Sequence, residues 1–303
     1  MISKITKDKI INNDNLIVPI AYDEVFREIF GNPKNIIFTE YLISALLNIP
    51  YDFIKNKVSF KTRNNNNINV NKKRFEKDIV VTIGEDESLV VNLEMNLNDY
   101  DDIKRIRNTK YISDIFSSNE KDKKKRKIIK QVIQFNFNTN YTDKKNNYIY
   151  DEYLLRNKKK NILINKIQII NLNVAKMSDL WYSKKYKKYI NISKVIFWFG
   201  ALIMENEKIK LKELINDTPI DNDIAKNLES EVIKMNDSKE LYGRYYNPEE
   251  EKKYWDEVRE EYAKEKIQQE IVRNMYNNNM NPKTISNYTN IPISTVEDII
   301  SRK

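Results

Sequence analysis

The chain of 303 residues contains no cysteine and no histidine. Without cysteine there is no disulfide, no CxxC redox pair, no thiolate zinc site and no thiol nucleophile. Without imidazole there is no Ser-His-Asp triad, no HExxH zinc site and no histidine-based nuclease. Any hydrolytic chemistry must then rest on carboxylates, Lys, Tyr, Ser or a metal. Glycine is scarce: Gly31, Gly84, Gly200 and Gly243 are the whole set. Their spacing excludes the GxxxxGK and GxGxxG phosphate cradles, and with them P-loop and Rossmann nucleotide chemistry. Long apolar runs are missing too. The longest, "VIFWFGALIM" from Val195 to Met204, falls well short of the roughly 20 residues that span a bilayer. The opening "MISKITKDKIINNDNLIVPI" has no sustained apolar core followed by a small-residue cleavage site, so no secretory signal is expected. The expected location is the cytoplasm.

What is present is a charged chain able to build a real core, 40% hydrophobic and 32% charged. Its 53 Lys and Arg against 44 Asp and Glu give a net charge of +9, which favours polyanionic partners such as nucleic acid without identifying one.

Along the chain, "AYDEVFREIFGNPKNIIFTEYLISALLNIP" predicts two amphipathic helices broken at "GNP". The first carries the stripe Val25, Phe26, Ile29 and Phe30, the second Ile37, Tyr41, Leu42 and Leu46. "NNNN" at Asn64 to Asn67 and "KKKRK" at Lys123 to Lys127 read as solvated loops. Five segments rich in β-branched and aromatic residues read as strands: "DIVVTI", "LVVNLEMN", "KQVIQFNFN", "NYIYDEYLL" and "KIQIINLNV". Between the second and third, "YDDIKRIRNTKYISDIF" reads as a helix with Ile103, Ile106, Tyr111, Ile112 and Ile115 as its apolar residues. The order helix, helix, strand, strand, helix and three strands predicts an α/β (α+β) domain over residues 1–177. A helical extension is expected over 178–261, including a long charged helix after Pro248. Over 262–303 two short helical runs joined by "TNIP" read as a helix-turn-helix-like tail, with Ser294 and Glu297 spaced as a capping box.

The stretch "KDIVVTIGEDESLVVNLEMN" has the pattern of a hairpin. Side chains alternate faces, so Ile79, Val81 and Ile83 share one face of the first strand, and Leu89, Val91, Leu93 and Met95 one face of the second. Matching these faces requires Ile83 opposite Leu89, Val81 opposite Val91 and Ile79 opposite Leu93. That register sets Asp78 opposite Glu94, with Asn96 pointing the same way as Glu94. Cross-strand neighbours lie roughly 5 Å apart at Cβ, close enough for two carboxylates to share one hard cation. A solvated acid at a strand end is the bland alternative.

Several segments together resemble the PD-(D/E)XK nuclease superfamily in its Rpn-type branch of recombination-promoting nucleases and transposase-like proteins. "YDEVFREIFG" is similar to that family's opening D-x-x-F-K-x-x-F-G helix. "RFEKDIVV" with "VNLEMN" resembles its paired strands bearing the first acid and an E-x-Q or E-x-N element. "RNTKY", Arg107 to Tyr111, matches the R-x-x-x-Y of the following helix, and "VIQFNFN" and "KIQIINLNV" resemble the later strands. The likeness spans about residues 20 to 177. It implies a restriction-endonuclease-like core of a mixed sheet flanked by helices, and a Mg²⁺-dependent DNA endonuclease, with Mn²⁺ as an alternative ion, serving recombination or transposition. Its metal-binding acids fall on Asp78 and Glu94 and its third catalytic position on Asn96, where the superfamily often has Lys and many Rpn-like members Gln. Asn can orient water or a phosphate oxygen but carries no charge.

Around this site Asp23 and Glu24 are candidate outer ligands. Arg105, Arg107, Lys123 and Lys124 are candidate DNA contacts, and the C-terminal helices are a candidate surface for homo-oligomers. Two further readings stay open. One is a DNA-binding protein on a catalytically weakened nuclease fold; the other is a toxin or defence component acting through a protein partner.

Overall fold

The computed structural model describes residues 13–61, 79–84, 88–99, 102–118, 130–140, 148–157, 159–237 and 248–301. Two compact units divide the chain, Met1–Tyr246 and Asn247–Lys303, where the sequence pattern suggested breaks after 177 and 261.

The first unit opens with α1 (Asp23–Phe30), which buries Val25, Phe26, Ile29 and Phe30, the stripe read from the sequence. Gly31 caps α1, a short 3₁₀ turn follows at Pro33–Asn35, and α2 runs from Ile36 to Leu47. Asn48 stops α2 in the left-handed conformation at φ 53°, a role that Asn fills with little strain. The short α3 (Tyr51–Ile54) leads into β1 (Val58–Phe60). After it come β2 (Ile79–Ile83), β3 (Leu89–Asp99), α4 (Asp102–Ser118), β4 (Gln131–Asn140), β5 (Tyr150–Arg156) and β6 (Ile162–Asn173). The five expected strands are therefore present, and β1, three residues long, adds a sixth.

The strands form one mixed sheet in the order β1-β2-β3-β4-β6-β5, flanked by helices. β1, β2 and β3 run antiparallel in turn, β3 to β4 and β4 to β6 pair in parallel, and β5 returns antiparallel to β6. In the β2–β3 hairpin Ile79 pairs with Leu93, Val81 with Val91 and Ile83 with Leu89. This is the register that matching the apolar faces demands, because a slip of one residue would turn every buried side chain outward. Gly84 begins the turn at φ 88°, a backbone conformation costly for a residue with a Cβ.

One sheet face is apolar throughout. Val91, Leu93, Met95, Phe135, Phe137 and Leu172 enter a single core with α1, α2 and the helices that follow β6. These are α5 (Val174–Tyr182), α6 (Lys194–Met204), α7 (Lys208–Asn216) and α8 (Asn222–Asp237). The run "VIFWFGALIM" lies wholly within α6, and its residues Phe197 to Ile203 are all buried. Trp198 is fully enclosed yet satisfied, its indole Nε1 donating to Leu214 O at 3.0 Å. Helices 174–237 thus complete the core of the sheet rather than forming a separate layer of their own. Among the described residues no helix is long and apolar enough to cross a membrane.

The second unit holds α9 (Pro248–Asn277), α10 (Pro282–Thr289) and α11 (Ile293–Ser301) around a small core of Val272, Ile285, Val296 and Ile299. Asn281 caps α10 by accepting from Thr284 N at 2.9 Å, and Asn290 ends it at φ 57°. α11 starts two residues earlier than a Ser294 capping box requires. Pro292 O accepts from Val296 N at 3.0 Å, which puts Ser294 inside the first turn.

Two tests follow from this packing. At Gly200 an added Cβ would meet Met177 Cβ at 2.4 Å and the backbone of α5 at 3.4 Å, since α5 packs closely against α6 there. Gly200→Ala should destabilise the protein by about 1–3 kcal/mol, read as a lower urea midpoint with an unchanged slope. The second concerns Tyr182, whose hydroxyl donates to Glu205 Oε2. Burial first, then this hydrogen bond and the Glu205 charge, push its pKa well above the ordinary tyrosine value. The folded state then keeps a proton that the unfolded chain releases above about pH 10. The associated stability is complete below that pH and is lost as pH rises beyond it. Tyr182→Phe should flatten the fall of unfolding free energy above pH 10, measured by urea titration at each pH.

Candidate functional site

The second face of the sheet changes character along its length. Near the start of the parallel strands it is apolar, with Val90 and Val132 packed under Ile112 and Ile115 of α4. Further along it becomes polar on every strand. Asn92, Glu94 and Asn96 follow on β3, Gln134, Asn136 and Asn138 on β4, and Asn171 on β6, all at most 2% exposed. In register, Asn92 lies beside Gln134, Glu94 beside Asn136 and then Asn171, and Asn96 beside Asn138 and then Asn173. These rows stand toward the carboxyl ends of parallel strands, the usual place for ligand sites in sheets of this kind.

Most of the buried amide groups pair with one another. Asn92 Nδ2 donates to Glu94 Oε1 at 3.0 Å and to Gln134 Oε1 at 3.1 Å. Gln134 Nε2 donates to Asn136 Oδ1 at 2.9 Å, and Asn136 Nδ2 to Asn171 Oδ1 at 2.7 Å. One row further, Asn96 Nδ2 donates to Asn138 Oδ1 at 3.0 Å. Asn173 closes the pattern by capping α5, accepting from Lys176 N at 3.0 Å. Among the described residues three buried side-chain amide atoms, Asn92 Oδ1, Asn108 Nδ2 and Asn138 Nδ2, have no hydrogen-bond partner.

α4 covers the polar rows with polar side chains of its own. Lys104 and Asn108 are buried, and Lys104 Nζ donates to Leu97 O on β3. Arg107 Nη2 donates to Asn96 Oδ1 at 2.7 Å, and its Nε to Asn108 Oδ1 at 3.3 Å. Its Cζ stands 5.6 Å from the centre of the buried Tyr111 ring. The apolar stripe expected on this helix holds only in its second half. Ile106 is 51% exposed, while Tyr111, Ile112 and Ile115 are buried.

Of the residues singled out from sequence, Glu94 and Asn96 share this buried face, and Arg107 joins them from α4. Asp78, directly before Ile79, lies outside the described residues, as do Lys123 and Lys124. Arg105 points elsewhere: it is exposed and pairs with Asp102 at 3.5 Å on its own helix. α1 seats on the opposite, apolar face, with Phe26 against Phe137 at 5.3 Å between ring centres. In its first turn Glu24 pairs with Arg27 at 3.8 Å, and Asp23 O accepts from Arg27 Nε at 3.3 Å. Among the described residues no group of three or more potential metal-binding side chains converges.

The sequence reading missed Asn92, Gln134, Asn136, Asn138 and Asn171. Their signal was an amide or acid at every second position of three consecutive inner strands, in "NLEMN", "QFNFN" and "NLN".

The centre of the ladder makes a sharp prediction. Asn136→Ala strands Gln134 Nε2 and Asn171 Oδ1 in the interior, where a lost partner costs about 1–3 kcal/mol. Equilibrium urea unfolding should show a loss of roughly that size, whereas a change within about 0.5 kcal/mol, typical of surface positions, would mean that the ladder is not stabilising.

No protein-family model, no curated protein and no solved structure matches this chain.

Proposed function

We propose that the protein is a metal-dependent DNA endonuclease of the PD-(D/E)XK type, hydrolysing phosphodiester bonds with Glu94 and Asp78 as its acids. The observation that carries this reading is Glu94 itself. It is a carboxylate buried at the middle of β3, next to the last described hairpin pair, Ile79 and Leu93, on a strand whose same face carries Asn92 and Asn96. The sheet supports it as well. An antiparallel β1-β2-β3 meander, then α4, then β4 parallel to β3 is the order expected of a restriction-endonuclease-like core.

The donor set fits a hard cation. Asn92 hands one amide hydrogen to Glu94 Oε1 while its own Oδ1 is buried without a hydrogen-bond partner. That oxygen is of the kind Mg²⁺ or Mn²⁺ accepts. Glu94 and Asp78 would hold the ion, which when bound lowers the pKa of a coordinated water and offsets charge at the phosphate. Asn92 and Gln134 fix the rotamer of Glu94 through the ladder, so the carboxylate is preorganised. Asn96 has its carbonyl oxygen engaged by Arg107 and one amide hydrogen by Asn138. It serves as the support of a cation rather than as the group that meets the water.

A second reading, DNA binding on a weakened nuclease fold, draws on the same engagement of Asn96. The substrate belongs to the first unit in either case. α11, the last helix of the tail, exposes Glu297 and Asp298, which repel a phosphate backbone.

Supercoiled plasmid incubated with the protein in Mg²⁺ or Mn²⁺ should be nicked or linearised. Asp78→Ala and Glu94→Ala should each lower the rate on the order of 10²-fold or more, the scale of losing one preorganised electrostatic contact to developing charge. Equal background cleavage by wild type and both variants in either metal would refute the enzyme. Salt-dependent DNA retention without metal-dependent cleavage would establish the second reading instead.

A further inference from the structure

The third position of the acid pair is Asn96, which has no charge to offer a phosphate in its transition state. Yet the structure brings two cations to this corner of β3, both from α4. Lys104 and Arg107 stand three residues apart on one face of the helix, and both reach the end of the strand. Lys104 is buried and donates to the backbone at Leu97 O. Arg107 is half-buried and donates to the side chain at Asn96 Oδ1, 2.7 Å away. The Arg107 plane is fixed from further sides, by Asn108 Oδ1 at 3.3 Å from Nε and by the Tyr111 ring beneath Cζ.

We infer that Arg107 is the anion-binding catalytic residue of the site. It contacts a non-bridging oxygen of the scissile phosphate, so that the charge usually carried at the position of Asn96 is delivered from α4. This inference rests on the nuclease reading above. Three physical features carry it. Asn96 is short, so its amide oxygen stops at the strand surface and meets a guanidinium arriving from the helix, where a lysine at the same position would collide with it. A guanidinium is a planar fork of five donors, matched in geometry to phosphate and charged at every working pH. Two amide oxygens and an aromatic face orient that fork before any substrate arrives, which is the preorganisation that electrostatic catalysis requires. Lys104 acts as a positioning residue by tying α4 to β3 beside Arg107. Asn138 does the same for Asn96 from β4, accepting from its amide at 3.0 Å.

The test uses the full-length protein and a short DNA duplex in Mg²⁺, with single-turnover cleavage rates measured alongside duplex affinity in EDTA. Arg107→Ala should lower the cleavage rate on the order of 10²-fold while duplex affinity changes less than about tenfold, since one phosphate contact among many is lost. Millimolar guanidinium chloride should restore part of the rate to Arg107→Ala and none to Glu94→Ala, a rescue that misfolding cannot mimic. Arg107→Lys should keep more activity than Arg107→Ala. If wild type cleaves and Arg107→Ala cleaves equally fast, or loses rate only in proportion to lost affinity, Arg107 does not meet the reacting phosphate. The same conclusion follows if guanidinium gives no rescue to a variant whose urea unfolding is that of wild type. If wild type itself fails to cleave, the nuclease reading falls, and the role assigned to Arg107 falls with it.

Discussion

The structure depends on a constraint that an all-apolar sheet never meets: seven acid and amide side chains on β3, β4 and β6 are buried and must find partners among themselves or on α4. An amide left unpaired in the interior costs about 1–3 kcal/mol, so no single position in the rows can be chosen freely. The chain meets the constraint by matching donor to acceptor both along and across strands, from Asn92 through Gln134 and Asn136 to Asn171. Parallel pairing is what makes this possible. Asn92, Glu94 and Asn96 advance in the same direction as Gln134, Asn136 and Asn138, so like positions stay abreast over three consecutive rows.

The same constraint explains where sequence periodicity reads true and where it fails. On the β2–β3 hairpin the two apolar faces had a single solution, because Ile79, Val81 and Ile83 could bury only against Leu93, Val91 and Leu89. The α1 stripe was equally plain, since that helix rests on an apolar surface. On α4 the rule that isoleucines point inward fails at Ile106, which is 51% exposed while Lys104 and Asn108 are buried. The helix turns as its floor demands: over Val90 and Val132 it presents isoleucines, and over the polar rows it presents Lys, Arg and Asn. No periodicity in α4 alone carries that information, because the cause lies on β3 and β4. The strand β1 was hidden for another reason. Three residues are too few to establish an alternation, and it is held as an edge by pairing with β2.

The two faces of the sheet divide the work. The face toward α1, α2, α5 and α6 supplies the apolar burial, with Phe26, Phe30, Phe135, Phe137 and Trp198 all essentially enclosed. Each such side chain contributes about 1.5–3 kcal/mol, enough to offset polar burial on the other side. This is why the helices after β6 belong to the first unit. Without α5 to α8, the apolar face around Phe137 and Leu172 would lie open, and the polar ladder would rest on a sheet with one side unsupported. A break after residue 177 looked natural in the sequence because the strand pattern ends there, but burial continues through the helices to Met235.

Asn96 shows how a residue can be legible in position while its partners are not. Alternation alone placed it on the same face as Glu94, and it is there, 1% exposed. Its chemistry could not be read from β3, because an amide has one acceptor end and one donor end and its neighbours decide what they do. Here β4 takes a donor hydrogen and α4 takes the acceptor oxygen, which leaves the side chain as a bracket between strand and helix. Its short amide leaves room for a guanidinium from α4 and accepts from it at 2.7 Å. The uncharged asparagine and the half-buried arginine are therefore two sides of one arrangement, the amide oxygen of the one accepting from the guanidinium of the other.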